Sequence, residues 1–262
     1  MNQSERIDKE TLHLPTEISA WIGNAAVYEN SGHSGVQTVY IKRDNGAYLK
    51  IAGRGVLHRS AVMQDFYYHC KLSSPVIQYL SADRDYLITA PVKGNDGTSE
   101  KYIADPERLS EVFAHALRFL HDISIKDCPF ADKMPDLLKM AETVMFRQSH
   151  LDGISKYIGA TDAKKAADEI TLTRRLIKSD VIIHGDYCLP NIIFNDGCSL
   201  SGFIDLGDSG MGDRHYDLAM GLWTLNKNLK TQKYGQRFLD VYGWSDIDKN
   251  RLRICGLLVS ME

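Results

Sequence analysis

The chain has no apolar run approaching the roughly 18 residues that would span a bilayer, and its start, MNQSERIDKE, is polar and lacks the apolar centre of a secretory signal. Both absences lead us to expect a soluble, cytoplasmic protein with no membrane partner. Cysteine is scarce and unpatterned. Cys70, Cys128, Cys188, Cys198 and Cys255 are odd in number and contain no C-x-x-C pair, which excludes a zinc knuckle or dithiol redox motif and predicts reduced thiols. An excess of one charge is also missing: 31 Lys and Arg stand against 34 Asp and Glu, so nothing marks a nucleic-acid partner. Neither G-x-x-x-x-G-K-S/T nor G-x-G-x-x-G occurs, and the P-loop and dinucleotide-fold routes to a phosphate site are excluded with them. No internal repeat or low-complexity segment is present.

What remains is an ordinary globular composition. With 262 residues, 44% apolar and 25% charged, the chain can bury about three quarters of its unfolded surface. Residues 16–24, TEISAWIGN, predict a short helix closed by Gly23. "TVYIKR" and "AYLKIA" flank Asp44-Asn45-Gly46 and predict a hairpin, after a small, flexible loop over 31–35. A helix is expected over 59–72, then strands at "PVIQYL" and "YLITAPV". Beyond Pro91, Leu109, Val112, Phe113, Ala116, Leu117 and Leu120 form one apolar helical stripe, which is core. Helical stretches broken at Asp152-Gly153 and Gly159 continue to 180, a β element fills 181–205, and 213–255 return to helix. A strand-rich first third and a helix-rich remainder imply two lobes, 1–92 and 93–262, in an α+β chain.

The chemistry is concentrated in "VIIHGDYCLPNIIFNDGCSLSGFIDLGDSG", residues 181–210. Two short apolar segments hold the loop His184 to Pro190, and Asn195-Asp196-Gly197 turns "NIIF" back on "LSGFIDL". Such a layout allows Asp186, Asn191 and Asp205 to converge. Converging carboxylates need a cation, and an Asn/Asp donor set favours a hard one such as Mg²⁺. A carboxylate outside the metal shell would then orient a hydroxyl toward a γ-phosphate. A thiol-hydrolase grouping of Cys188, His184 and Asp186 is the alternative, but a triad needs residues that meet in space and all three sit in one loop, which disfavours it. Cys188 is a packing residue by default, His184 a shaper of the loop, and Asp217 a holder of that loop from a helix start. Asp208, Asp213 and Arg214 have a bland explanation as solvated residues.

His184-Gly185-Asp186, Asn191, a hairpin and Asp205-Leu206-Gly207 together resemble the catalytic and metal loops of the protein-kinase-like fold. More narrowly, "HGDYCLPNIIF", "GFIDLGDSGMGDRHYDLA" and "LHDISIKDCPF" resemble the aminoglycoside 3'-phosphotransferase family over nearly the whole chain. The resemblance implies a two-lobed fold, with an N-terminal antiparallel-sheet lobe for the nucleotide and a larger helical lobe for catalysis and the acceptor. It implies phosphoryl transfer from ATP or GTP, with Mg²⁺, to an aminoglycoside. Position by position, Asp186 falls on the catalytic residue and Asn191 and Asp205 on the metal ligands. Lys50 falls on the phosphate-contacting strand lysine. Ser31, Gly32, Ser34 and Gly35 fall on the loop over the phosphates, and Thr89, Ala90 and Val92 on the segment that reads the adenine edge.

Two departures from the family pattern stand out. Family members pair the strand lysine with a helix Glu, but that position is Ala61 and no Glu occurs between 52 and 99; Asp65, one turn on, is the substitute expected. The acceptor site of a polycation needs carboxylates, yet Val259 and Ser260 stand where the family has an acidic pair, and 226–230 read Asn-Lys-Asn-Leu-Lys. Asp152, Asp208 and Glu262 are the acceptor-binding candidates left. A kinase for another hydroxylated antibiotic or metabolite, and a pseudokinase-like nucleotide binder, are the rival expectations.

Overall fold

The computed structural model describes residues 5–30, 35–147 and 163–260. They fall into two compact units: residues 1–93 with 202–207, and 94–201 with 208–262.

In the first unit six strands form one antiparallel sheet in the order β1-β2-β3-β4-β6-β5. They are β1 (Arg6–Ile7), β2 (Ala26–Asn30), β3 (Gln37–Lys42), β4 (Ala47–Gly53), β5 (Val76–Ser81) and β6 (Arg84–Thr89). The Asp44–Gly46 turn is present, with Asp44 and Gly46 both at positive φ and Gly46 N donating to Arg43 O. Alternation on the strands does what a half-buried sheet requires. Val27, Val39, Ile41, Leu49, Ile51 and Ile88 point to one side, against Ile18 and Ile22 of helix α1 (Thr16–Ile22). Each such fully buried aliphatic side chain contributes about 1.5–3 kcal/mol. The opposite face carries Thr38, Tyr40, Tyr48 and Lys50, since Lys50 pairs with Thr38 on one side and Leu87 on the other. Helix α2 (His58–His69) stops three residues before the expected end. Lys71 takes a left-handed φ of 61°, and Leu72 N returns to Tyr67 O as a helix-ending bond. Leu72 O then accepts Phe203 N at 2.7 Å, and Ser73 Oγ donates to Phe203 O, which ties segment 202–207 to this unit.

The second unit is mostly helical. β7 (Asn95–Asp96) precedes α3 (Glu100–Ile103) and α4 (Pro106–His121). Asp105 caps α4 by accepting Arg108 N, Pro106 fills its first turn, and the expected stripe is buried along it. α5 (Met134–Arg147) and α6 (Ala163–Thr173) follow; the expected breaks at 152–153 and 159 lie outside the described residues. Next come β8 (Val181–Ile183), β9 (Ile192–Phe194), β10 (Leu200–Phe203) and β11 (Gly210–Gly212). β8 pairs with β11, and β9 with β7. The helical stretch expected over 213–255 is present as three helices: α7 (Arg214–Leu229), α8 (Gly235–Tyr242) and α9 (Lys249–Val259). Among the described residues no helix is long and apolar enough to cross a membrane.

Candidate active site

In the second unit, the loop between β8 and β9 is held by three residues of two helices. From α7, the buried carboxylate of Asp217 accepts His184 N at 2.7 Å and Gly185 N at 3.0 Å, one oxygen for each. From α4, Phe113 O accepts the Tyr187 hydroxyl at 2.6 Å, while the two rings stack with centroids 4.4 Å apart. Thr224, also on α7, accepts Leu189 N through its hydroxyl at 3.2 Å. Gly185 sits at φ 83°, and a Cβ there would run into the carbonyl oxygen of Asp208. The fully buried His184 ring accepts Asp186 N through Nδ1, the shaping role expected of it.

Asp186 stands on this fixed loop with both carboxylate oxygens engaged. Cys188 Sγ donates to Oδ1 at 3.0 Å and Asn191 Nδ2 to Oδ2 at 2.8 Å. Asn191 Nδ2 also donates to Asp186 O at 3.0 Å. Both partners of that amide can only accept, so its nitrogen is assigned to them and Asn191 Oδ1 is left as an oxygen donor for a cation. Burial, and next the charge of Asp186, push the Cys188 thiol well above its ordinary pKa. It stays a protonated donor, which disposes of the thiolate nucleophile.

Asp217 is itself supported. His121 lies buried between Asp217 Oδ2, 3.3 Å from Nε2, and the Tyr242 hydroxyl, 2.7 Å from Nδ1. Burial lowers the His121 pKa, so the ring is neutral near pH 7. The carboxylate only accepts, which puts the proton on Nε2 and leaves Nδ1 to accept the Tyr242 O–H, whose pKa burial raises to about 12. Asp213 and Arg214 depart from the solvated state allowed for them. Asp213 is fully buried, accepts His215 N and Lys178 N, and bonds Arg251 Nε at 2.9 Å. Arg214 pairs with Asp180 and Asp246. Asp213 caps α7, accepting an N–H of its first turn, while Arg214 ties the start of that helix to two carboxylates.

In the first unit, Lys50 and Asp205 come together: Lys50 Nζ donates to Asp205 Oδ1 at 2.6 Å. Asp205 is a non-glycine residue at φ 62°, a conformation that costs about 1–3 kcal/mol and clusters at functional sites. Asp65 does not supply the expected carboxylate. It faces solvent beside His69, 3.6 Å away, whereas Ala61 is buried with Leu57 and Leu87. An apolar position therefore replaces the helix acid, and Asp205 is the partner of the lysine. Asp65→Ala is expected to leave the nucleotide KM within about twofold, since an exposed pair is worth at most about 1 kcal/mol; a tenfold rise in a steady-state titration would restore Asp65 to the role.

The remaining candidates are placed as follows. Thr89 ends β6 opposite Tyr48 and Val76. Ala90 donates its N–H to Pro75 O and accepts Ser74 Oγ. A Cβ on Gly202 would stand 3.1 Å from Val92 Cγ1. Gly35 sits at φ 71° with open space around it. Asp208 is exposed and bonds Lys133 at 2.8 Å. Ser31, Gly32, Ser34, Asp152 and Glu262 lie outside the described residues. His121, Tyr187, Tyr242 and Lys133 were not read from the sequence; the only sign of His121 was its place in "LHDI".

The model of the phosphotransferase enzyme family matches residues 36–254. A probable aminoglycoside 3'-phosphotransferase of Lactococcus lactis is 38% identical over 93% of this chain and 93% of its own length. An aminoglycoside 3'-phosphotransferase of Niallia circulans is 28% identical over 94% of this chain and 97% of its own. A solved aminoglycoside phosphotransferase from Streptomyces rimosus, in complex with ADP and streptomycin, superposes with a TM-score of 0.73 at 22% identity, covering 97% of this chain and 99% of that one. At that identity the superposition establishes a shared fold.

Proposed function

Because the chain belongs to the aminoglycoside 3'-phosphotransferase family of phosphotransferase enzymes and so acts on a hydroxyl acceptor, we propose that it moves the γ-phosphoryl group of ATP or GTP to an aminoglycoside hydroxyl. The reading rests above all on Asp186, a carboxylate whose loop is fixed by buried hydrogen bonds from α7, with Oδ2 oriented by the Asn191 amide and Oδ1 met by the weak thiol donor of Cys188, which a substrate hydroxyl can displace. The acceptor hydroxyl donates to that carboxylate, its oxygen forms the new bond to the γ-phosphorus, the bond to the leaving diphosphate breaks, and the proton passes to Asp186. Positioning and charge neutralisation supply most of the acceleration.

The unit of 1–93 with 202–207 is the nucleotide-binding part, and the other the catalytic and acceptor-binding part. Lys50 and the 31–35 loop hold the phosphates. Tyr48, two residues before Lys50 on the same strand face, offers a ring surface suited to a purine base. Backbone groups of residues 89–92 meet the base edge. Asn191 Oδ1 and the Asp205 carboxylate are hard oxygen donors that fit Mg²⁺. When bound, that ion neutralises charge on the phosphates. Phosphorylation of the sugar would inactivate the antibiotic and so confer resistance.

An assay coupling ADP release to a panel of aminoglycosides tests the proposal. Acceptor-dependent turnover is the expected result. Turnover only with other hydroxylated acceptors moves the substrate class, and nucleotide binding without turnover overturns the enzymatic reading.

A further inference from the structure

We propose that Lys227 and Lys133 set the charge class of the acceptor, favouring acceptors with few ammonium groups near the reacting hydroxyl over those with many. The proposal rests on Asp186 being the residue that meets that hydroxyl.

Helix α7 touches the catalytic loop where Thr224 accepts Leu189 N, at 3.2 Å. Lys227 is three residues further along, on the neighbouring part of the same face. Its Nζ lies 4.6 Å from the centroid of the Trp223 ring, one turn back, so a cation–π contact holds the ammonium near the helix instead of letting it sweep solvent. Its charge reaches the loop. Burial and the Asp186 carboxylate push the Cys188 thiol up, and Lys227 is the first cation pulling against them. Since Cys188 Sγ donates to Asp186 Oδ1 at 3.0 Å, a charge felt at that thiol is also felt at the catalytic carboxylate.

The second lysine works by cancelling an acid. Asp208 follows Asp205 by three residues, its carbonyl oxygen packed against the Gly185 position. Its side chain bonds Lys133 Nζ at 2.8 Å, and that lysine is only 11% exposed. A carboxylate already neutralised by a nearly buried ammonium has little left to offer a substrate amine. Residues 226–230 add no acid, only Lys227 and Lys230. Among these described residues, a polycationic acceptor approaching Asp186 from this unit thus meets the fixed cation of Lys227 and, at Asp208, a carboxylate already paired with Lys133, where complementarity calls for free carboxylates.

The experiment uses the purified full chain and aminoglycosides of one ring scaffold bearing different numbers of amino groups, at low and high salt. The readout is the ratio of kcat/KM for the most highly aminated acceptor to that for the least. Lys227→Gln and Lys133→Gln are each expected to raise this ratio by about two- to fivefold at low salt, and Lys227→Glu by more. The gain shrinks at high ionic strength, as a screened charge effect must. A ratio unchanged in all three variants, with acceptor-dependent turnover intact, overturns the lysine proposal alone. If turnover survives Asp186→Asn, or the unmodified protein phosphorylates no aminoglycoside, the functional reading falls, and this proposal with it.

Discussion

Asp186→Asn is expected to lower kcat by about 10²–10⁴-fold, the usual contribution of a positioned general base, while nucleotide affinity changes less than about threefold. The carboxylate lies between two donors, the Cys188 thiol at Oδ1 and the Asn191 amide at Oδ2. An asparagine presents one acceptor and one donor, so whichever way it turns, one of those bonds becomes a donor facing a donor. That costs about 1–2 kcal/mol of local stability. It cannot account for a loss of three decades in rate, which requires the acceptor hydroxyl to have lost the group that takes its proton. Single-turnover kinetics with saturating nucleotide, beside calorimetric titration of ADP, separate the two effects. Transfer within tenfold of the unmodified enzyme would remove Asp186 from the mechanism.

Local pattern carried most of the elements. The stripe from Leu109 to Leu120 and the alternation around Asp44-Asn45-Gly46 involve residues close in the chain, so a helix and a hairpin are written in their spacing. α2 ends earlier than its own pattern suggests because Lys71 takes a left-handed turn, after which Leu72 O accepts a hydrogen bond from Phe203 N, 131 positions further on. The site shows the same division. "HGDYCLPN" and "FIDLG" stand out locally, and the Asp186–Asn191 bond joins residues five apart. The Lys50–Asp205 pair spans 155 positions, and no periodicity announces it; the sequence pointed instead to Asp65, the nearest acid one turn from Ala61. Asp213 looked solvent-exposed for a related reason. A carboxylate followed by Arg214 and His215 is polar in any window, and only the fold reveals Lys178 N and Arg251 beside it. Charged residues are legible where their partners are near in sequence, and buried ones seldom are.

Asp217→Ala is expected to destabilise the second unit by about 3–5 kcal/mol and to lower kcat by at least tenfold, since the carboxylate serves three donors at once. Removing it orphans His184 N, Gly185 N and the Nε2 proton of His121, all buried. Against a typical total of about 5–15 kcal/mol, such a loss moves the urea midpoint far down. Asp217→Asn keeps one acceptor oxygen and turns an amide donor toward the remaining N–H groups, so it should fall between alanine and the unmodified chain. The pairing with Asp186 makes the result diagnostic. A residue that does chemistry loses far more in kcat than its stability cost of about 1–2 kcal/mol accounts for, whereas one that holds the loop loses rate and urea midpoint together. If Asp217→Ala unfolds at the unmodified midpoint, the hydrogen bonds from α7 to the loop are not what fixes Asp186, and the anchoring passes to Tyr187 on Phe113 O and Leu189 N on Thr224. Tyr187→Phe would then produce the joint loss expected here of Asp217, because it removes a buried hydroxyl bond while leaving the stacked ring in place.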